Sequence, residues 1–265
     1  MKKMSNYMTI TLACLIIVFV TAPSSAEVYL KCSEESEMCK IEIAGLIRPE
    51  DLVTFKRIIG AYNRKTRQIT TATGDKSLWE VTLDSPGGDT MTAMAIGDLM
   101  YQNEFKAWVD RGASCSSACV FILGSSVRRD LSLFAEIKIH RPYSDSTDTS
   151  FTQATSNFAR IEKIAVSQFK RVGVSAGLWD EIMRVPPQTT RTLSPDEWLK
   201  YGLIGTDPAY ADAEDSRSAK RLGITKKEYL RRMAIYDECV KNALRAGIYW
   251  GIIDIDCQKV SGRIR

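Results

Sequence analysis

Apolar residues recur along this chain at two spacings, and the spacing changes from one stretch to the next. Strict alternation marks a half-buried strand; recurrence every three or four residues marks a helix burying one face. Lys40-Ile41-Glu42-Ile43-Ala44 alternates and stops at Gly45, which predicts a strand. Pro49 suits the first position of a helix, and Leu52, Phe55, Ile58, Ile59 and Tyr62 then follow at helical spacing. Residues 63–76 are polar and rich in Thr and read as a loop. In residues 78–83, Trp79, Val81 and Leu83 alternate with Glu80 and Thr82, a second strand. A helix between successive strands predicts an α/β architecture.

Leu83-Asp84-Ser85-Pro86-Gly87-Gly88-Asp89 reads as a sharp strand-to-helix turn with exposed backbone N–H groups. Asp89 or Thr90 caps the next helix, where Ala93, Ile96, Gly97 and Met100 share a face. A short strand is expected over 105–109, a turn of small residues over 111–116 and an apolar helical turn over 118–123. Arg128 and Arg129 fall in an expected loop, 127–131, and residues 133–140 form a strand with Phe134, Ile137 and Ile139 as its apolar members. After a polar loop, residues 151–171 make a long amphipathic helix with Phe158, Ile161, Ile164, Ala165 and Phe169 on one side. A helix over 176–183 ends before Pro186-Pro187. Ser194 caps another that has Pro195 at its first position, and the chain then leads through Tyr201-Gly202-Leu203-Ile204-Gly205 to a strand. Beyond Asp212, Lys, Arg and Glu dominate, and Tyr229, Met233, Tyr236, Val240 and Leu244 keep helical spacing.

The start of the chain divides differently. Lys2 and Lys3 precede an acid-free apolar run, and Ser24-Ser25-Ala26 supplies the small residues of a cleavage site before Glu27. The expected organisation is a signal peptide (1–26), an α/β domain (27–210) and a C-terminal helical extension (211–265), giving an exported protein, periplasmic or secreted, with no membrane span after cleavage. Without Lys2 and Lys3, 34 basic residues face 32 acidic ones. That balance offers no electrostatic footprint for nucleic acid.

Six cysteines then remain: Cys32, Cys39, Cys115, Cys119, Cys239 and Cys257. An even number in an exported chain favours disulfides over metal. Proximity suggests Cys32 with Cys39, closing an N-terminal loop, and Cys239 with Cys257, stapling the C-terminal helices. Cys115 and Cys119 either pair across one tight turn or stay as buried thiols. No metal-ligand set or cofactor motif is visible, and neither a metal nor a cofactor is expected.

Three pieces stand in order: a Gly-Gly turn, a run of serines at a helix start, and His140, the single histidine, at a strand end. A serine hydroxyl is a weak nucleophile until a neighbouring base takes its proton, and histidine does so near neutral pH. The oxyanion of acyl transfer needs fixed N–H donors, each worth roughly 3–4 kcal/mol of barrier. The Gly88 N–H, with the N–H following the serine, can supply them.

These blocks resemble the ClpP/crotonase superfamily, in particular the proteolytic subunit of the Clp protease. Leu-Asp-Ser-Pro-Gly-Gly at 83–88 is similar to that family's oxyanion turn. Ser117-Ala118-Cys119-Val120-Phe121-Ile122-Leu123 is similar to its nucleophile helix, and Ile139-His140-Arg141-Pro142 to its histidine motif. Arg191-Thr192-Leu193-Ser194, with Glu197 and Tyr201-Gly202-Leu203-Ile204, resembles the segment after its catalytic aspartate. The resemblance runs from about Ile41 to Asp207 and implies a repeated ββα spiral fold, with Ser117 as nucleophile, His140 as base, and Gly88 and Ala118 as oxyanion donors. Ser116 and Ser114 are rival nucleophiles. It further implies a peptide or unfolded-protein substrate and a homo-oligomer formed through the helix over 151–171. The chain departs from the family where the aspartate should stand, at Thr190. Loss of that carboxylate can cost about 10⁴ in rate. Thr190 itself, Asp196, or Asp145 and Asp148 are the candidate third members; the alternatives are a slow Ser-His pair or a fold that has lost catalysis and binds instead.

Overall fold

The structure is a computed structural model and describes residues 27–32, 39–73, 80–143, 151–245 and 257–262. The expected signal peptide lies outside the described residues, as do Trp79, Asp145 and Asp148. Strands β1 (Glu27–Cys32) and β2 (Cys39–Ile47) form an antiparallel hairpin whose register sets Cys32 opposite Cys39. Helix α1 (Pro49–Thr73) buries Phe55 and Ile59 against the sheet and continues through residues 63–73, where the polar composition predicts loop. Once the first turns exist, each further residue adds a hydrogen bond without a new nucleation cost, so a polar tract extends a helix readily.

Strand β3 (Glu80–Gly88) is the hub. Val81, Leu83, Ser85 and Gly87 are buried while the residues between them are more exposed, so the alternation of the strand continues through Ser85-Pro86-Gly87-Gly88. The expected sharp turn is therefore the end of strand β3. It is held there by β2, whose Leu46 and Ile47 pair in parallel with Gly87 and Gly88. The register shifts once between Ala44 and Leu46, where Gly45 takes φ 82° and its carbonyl accepts the Ser85 hydroxyl at 2.6 Å. This is a bulge with its loose polar group satisfied.

The other edge of β3 is shared by two strands. β4 (Lys106–Val109) pairs with Glu80–Thr82, and β5 (Ser114–Ser116) pairs further along, Ser85 against Cys115. From these two starts the sheet divides. β6 (Arg128–Leu131) continues beyond β4 and β9 (Gly205–Thr206) closes that side; β7 (Glu136–Ile139) continues beyond β5 and β8 (Arg191–Thr192) closes the other. The pairings among β2 to β7 are parallel, and the helices between them pack on the faces. This is a mixed, mostly parallel α/β fold, the class expected.

Three expectations are corrected here. The small-residue turn over 111–116 contains β5. The Arg128–Arg129 segment is β6, a strand rather than a loop. The strand over 133–140 begins only at Glu136: Leu133 and Phe134 are exposed, and the Phe134 ring lies 4.2 Å from the Arg111 guanidinium instead of in the core. Arg129 explains why charge is a poor guide to this segment. Its side chain is 2% exposed, yet it donates to the carbonyls of Gly202 (2.9 Å), Ser126 (2.7 Å) and Val172 (3.1 Å). Burial pulls its pKa down to about 10, against the attraction of Asp207 and Asp130, so it stays cationic at neutral pH.

Helices α2 (Thr90–Gln102), α3 (Cys119–Gly124) and α4 (Phe151–Arg171) cross closely at small residues. A Cβ on Gly97 would lie 2.8 Å from Ser125, and one on Gly124 would lie 2.6 Å from the Phe169 ring. Buried Gln168 ties the three together, donating to Met94 O at 2.9 Å and accepting from Ser125 Oγ at 3.1 Å. Helices α5 (Gly177–Arg184) and α6 (Pro195–Tyr201) follow. In α6 Ser194 caps as expected, and Glu197 completes a capping box with it.

The C-terminal region is α7 (Pro208–Arg221) and α8 (Lys226–Arg245), so helix resumes slightly earlier than expected, capped by the Asp207 carboxylate. The Cys239–Cys257 disulfide forms as expected and joins α8 to a helical turn at 257–260. Among the described residues no helix is long and apolar enough to cross a membrane.

Candidate functional site

Strand β5 runs into α3 through Ser117-Ala118, and Ser117 takes the left-handed backbone conformation with φ 53°. A residue other than glycine held there is strained by about 1–3 kcal/mol and needs neighbours that enforce it. Three do. The Ser117 N–H donates to Lys138 O at 2.9 Å, which extends the β5–β7 ladder to the residue itself. The Cys115–Cys119 disulfide spans the turn with its Cα atoms 5.3 Å apart, both cysteines fully buried. Behind Ser117 stands α3, all of whose residues are buried. The serine is thereby raised from a rigid base, itself half-buried, and its hydroxyl makes no hydrogen bond with any described residue.

The Gly-Gly segment presses directly on this turn. A Cβ on Gly87 (φ 102°) would stand 2.6 Å from Ser117 Cβ, 2.8 Å from Ser116 O and 2.9 Å from Ala118 N. On Gly88 (φ 138°) it would stand 2.2 Å from Ile47 O. Only glycine permits both the angles and the approach. The Asp89 N–H donates to Ile47 O at 2.9 Å. Gly88 lines the same cleft as Ser117. With the Ser117 N–H spent on Lys138, the candidate donors near the serine are those of Ala118 and Gly88.

A cleft of about 640 Å³ opens over these groups. Ser117, Gly88 and His140 line it, with Leu46, Ile47 and Met91 on one side and Phe158, Arg160 and Ile161 of α4 on the other. His140 follows the last residue of β7, two beyond the Lys138 carbonyl that holds Ser117, so adjacent parallel strands bring the serine and the histidine to one cleft. The imidazole Nδ1 lies 3.0 Å from Arg141 O, and its ring centroid is 5.8 Å from that of Tyr143.

The other sequence candidates fare differently. Ser116 is buried and its hydroxyl shares a 3.0 Å hydrogen bond with that of Ser114; neither lines the cleft. Thr190 precedes β8, whose register with β7 (Ile139 against Arg191) leads on to His140 against Thr190. Thr190 is nevertheless exposed and makes no hydrogen bond with the imidazole, and the same holds for Asp196 in the first turn of α6. Asp89 sits in the cleft, but its carboxylate caps α2 by accepting from Thr92 N at 2.7 Å. The glutamate of the capping box, Glu197, is held below the usual carboxylate range by the Ser194 N–H first and then by Arg191. No carboxylate among the described residues therefore hydrogen-bonds His140.

The sequence pattern did not reveal the part of α4. Its apolar stripe does two jobs: Ala165 and Phe169 are buried in the core, while Phe158 and Ile161, half-buried, face the cleft. The same spacing serves both, so periodicity could not separate them. The Arg141 carbonyl was also missed, since sequence patterns speak of side chains. A free hydroxyl, an imidazole, two candidate N–H donors and apolar walls around an open volume are the parts that acyl transfer from an extended substrate requires.

No curated protein matches the chain. Among solved structures, it is similar to a serine-to-alanine mutant of the 1510-N membrane-bound stomatin-specific protease, at 21% identity and a TM-score of 0.47, covering 66% of this chain and 82% of that one. A lysine-to-alanine mutant of the same protease, in complex with a substrate peptide, aligns at 23% identity and a TM-score of 0.44, covering 62% of this chain and 71% of that one. The sequence profile of the Clp protease family matches residues 63–206, a span that holds β3, the Ser117 turn, His140 and both antiparallel closing strands. That span is more than half of the 265 residues, and the chain belongs to the Clp protease family.

Proposed function

We propose that this protein is an exported serine hydrolase, a peptidase acting on short peptides or unfolded segments, with Ser117 as nucleophile and His140 as general base. The observation that carries the reading is the Ser117 turn: a strained serine with a free hydroxyl, clasped by Gly87 and sharing a cleft with the only histidine of the chain. The imidazole takes the Ser117 proton as Oγ attacks the acyl carbon, then returns it to the leaving amine. The Gly88 and Ala118 N–H groups receive the oxyanion. Water repeats the cycle to release the acyl group. The residues at the start of the chain support export to the periplasm or outside the cell, and α4 is the helix through which a homo-oligomer would form.

A fluorophosphonate probe tests this. The protein labels on Ser117, located by peptide mass spectrometry, and Ser117→Ala abolishes labelling. Folded wild-type protein that never labels would instead favour a catalytically inactive binding protein using the same cleft. The observation behind that second reading is that no described carboxylate hydrogen-bonds His140.

A further inference from the structure

Thr190 stands where the family carries its aspartate, yet the His140 ring is not without an orienting partner. Its Nδ1 lies 3.0 Å from the carbonyl oxygen of Arg141. A carbonyl only accepts, so this hydrogen bond places the proton on Nδ1 and leaves Nε2 bare, the tautomer a general base needs. The carbonyl is fixed from both sides. On one side the Arg141 N–H donates to Val185 O at 2.9 Å, which anchors the preceding peptide group to the end of α5. On the other is Pro142, buried in the cleft wall. A proline restricts the residue before it to extended backbone, which limits where the Arg141 carbonyl can point. The run His140-Arg141-Pro142 therefore builds its own acceptor.

We infer that the Arg141 main-chain carbonyl, held by Pro142 and Val185, is the positioning group for His140, so that the site is a serine–histidine pair completed by backbone and needing no third side chain. The inference rests on the proposed roles of Ser117 and His140. A neutral carbonyl keeps the tautomer but cannot answer the positive charge that the imidazole acquires. The site consequently keeps the part of a triad that depends on orientation and lacks the part that depends on charge.

Because the chain has one histidine, ¹⁵N-histidine labelling of the intact protein gives a single imidazole, and its two nitrogens report the tautomer without any need for turnover. The expected result above the imidazole's titration is a protonated Nδ1 and a bare Nε2, retained in Arg141→Ala, which keeps the carbonyl, and in Thr190→Val. In Pro142→Ala the spectrum moves toward the tautomer mixture of a solvated histidine, and probe labelling slows roughly 10- to 100-fold, short of the ~10⁴ loss that a wrong tautomer causes. A wild-type spectrum with the proton on Nε2, or a tautomer that changes in Thr190→Val, overturns the inference. A correct tautomer in a protein that never labels supports the positioning of the ring and defeats the hydrolase reading alone.

Discussion

Gly87→Ala is the most direct test of how the Ser117 turn is held. The new methyl carbon would stand 2.6 Å from Ser117 Cβ, about 0.8 Å inside the 3.4 Å at which ordinary contact begins, with Ser116 O at 2.8 Å and Ala118 N at 2.9 Å. None of these is the far end of a flexible side chain: two are backbone, and the third is the Cβ of a residue clamped by a disulfide and a ladder hydrogen bond. The φ of 102° adds a backbone strain of about 1–3 kcal/mol, and forcing a methyl into a packed site costs about as much again. A loss of about 4 kcal/mol leaves a domain of ordinary stability folded but cooler-melting. The turn yields by a good part of an ångström, and a displacement of that order costs about 100-fold in rate. The assay is the second-order rate of fluorophosphonate labelling, read beside a thermal melt. Gly60→Ala is the control: Gly60 lies within α1, and a methyl group added there would meet nothing within 4 Å, so the variant gains about 1 kcal/mol and labels at the wild-type rate. A folded Gly87→Ala protein that labels within twofold of wild type would refute the close-packed turn as the support of the nucleophile.

Removing the Cys115–Cys119 bridge as the double variant Cys115→Ala, Cys119→Ala leaves the Cys239–Cys257 bridge intact; labelling falls at least tenfold while circular dichroism at 25 °C is unchanged, because the bridge encloses only the turn. Arg129→Met deprives the carbonyls of Gly202, Ser126 and Val172 of a buried donor, at about 3 kcal/mol or roughly 6–12 °C in melting temperature; a shift under 2 °C would show that the cation is not what joins β6 to the ends of α4 and α6. Glu197 has a folded pKa below its unfolded 4.5, so its contribution to stability is present above pH 4.5 and is lost as pH falls through the folded value. Glu197→Gln should make the urea midpoint less dependent on pH on that acid side, and an unaltered slope would count against the Ser194 and Arg191 contacts.

Much of the fold was legible because burial leaves a periodic trace. The strand at Ile41–Ile43, the face of α2 and the span of α4 all follow from spacing, and the Ser194 cap of α6 from local chemistry. The order of the Gly-Gly segment, the serine run and the strand-end histidine was equally legible. Errors fell where a neighbour distant in sequence overrode local preference. Ser85 to Gly88 looks like a turn and is strand because β2 pairs along it. Arg128-Arg129 looks like loop and is strand because β4 pairs along it, while the distant carbonyls of Gly202 and Val172 accept from the buried Arg129 guanidinium.

The sequence by itself determined most of the elements and the α/β class, since these depend on residue type and local spacing, and its resemblance to a known family singled out the candidate nucleophile and base. Only the tertiary structure decided that Gly87 supports the Ser117 turn, that α4 divides its stripe between core and cleft, and that a backbone carbonyl rather than Thr190 faces the imidazole. Those are distances between segments tens of residues apart, or the direction of a peptide group, and neither is written in the type of any single residue.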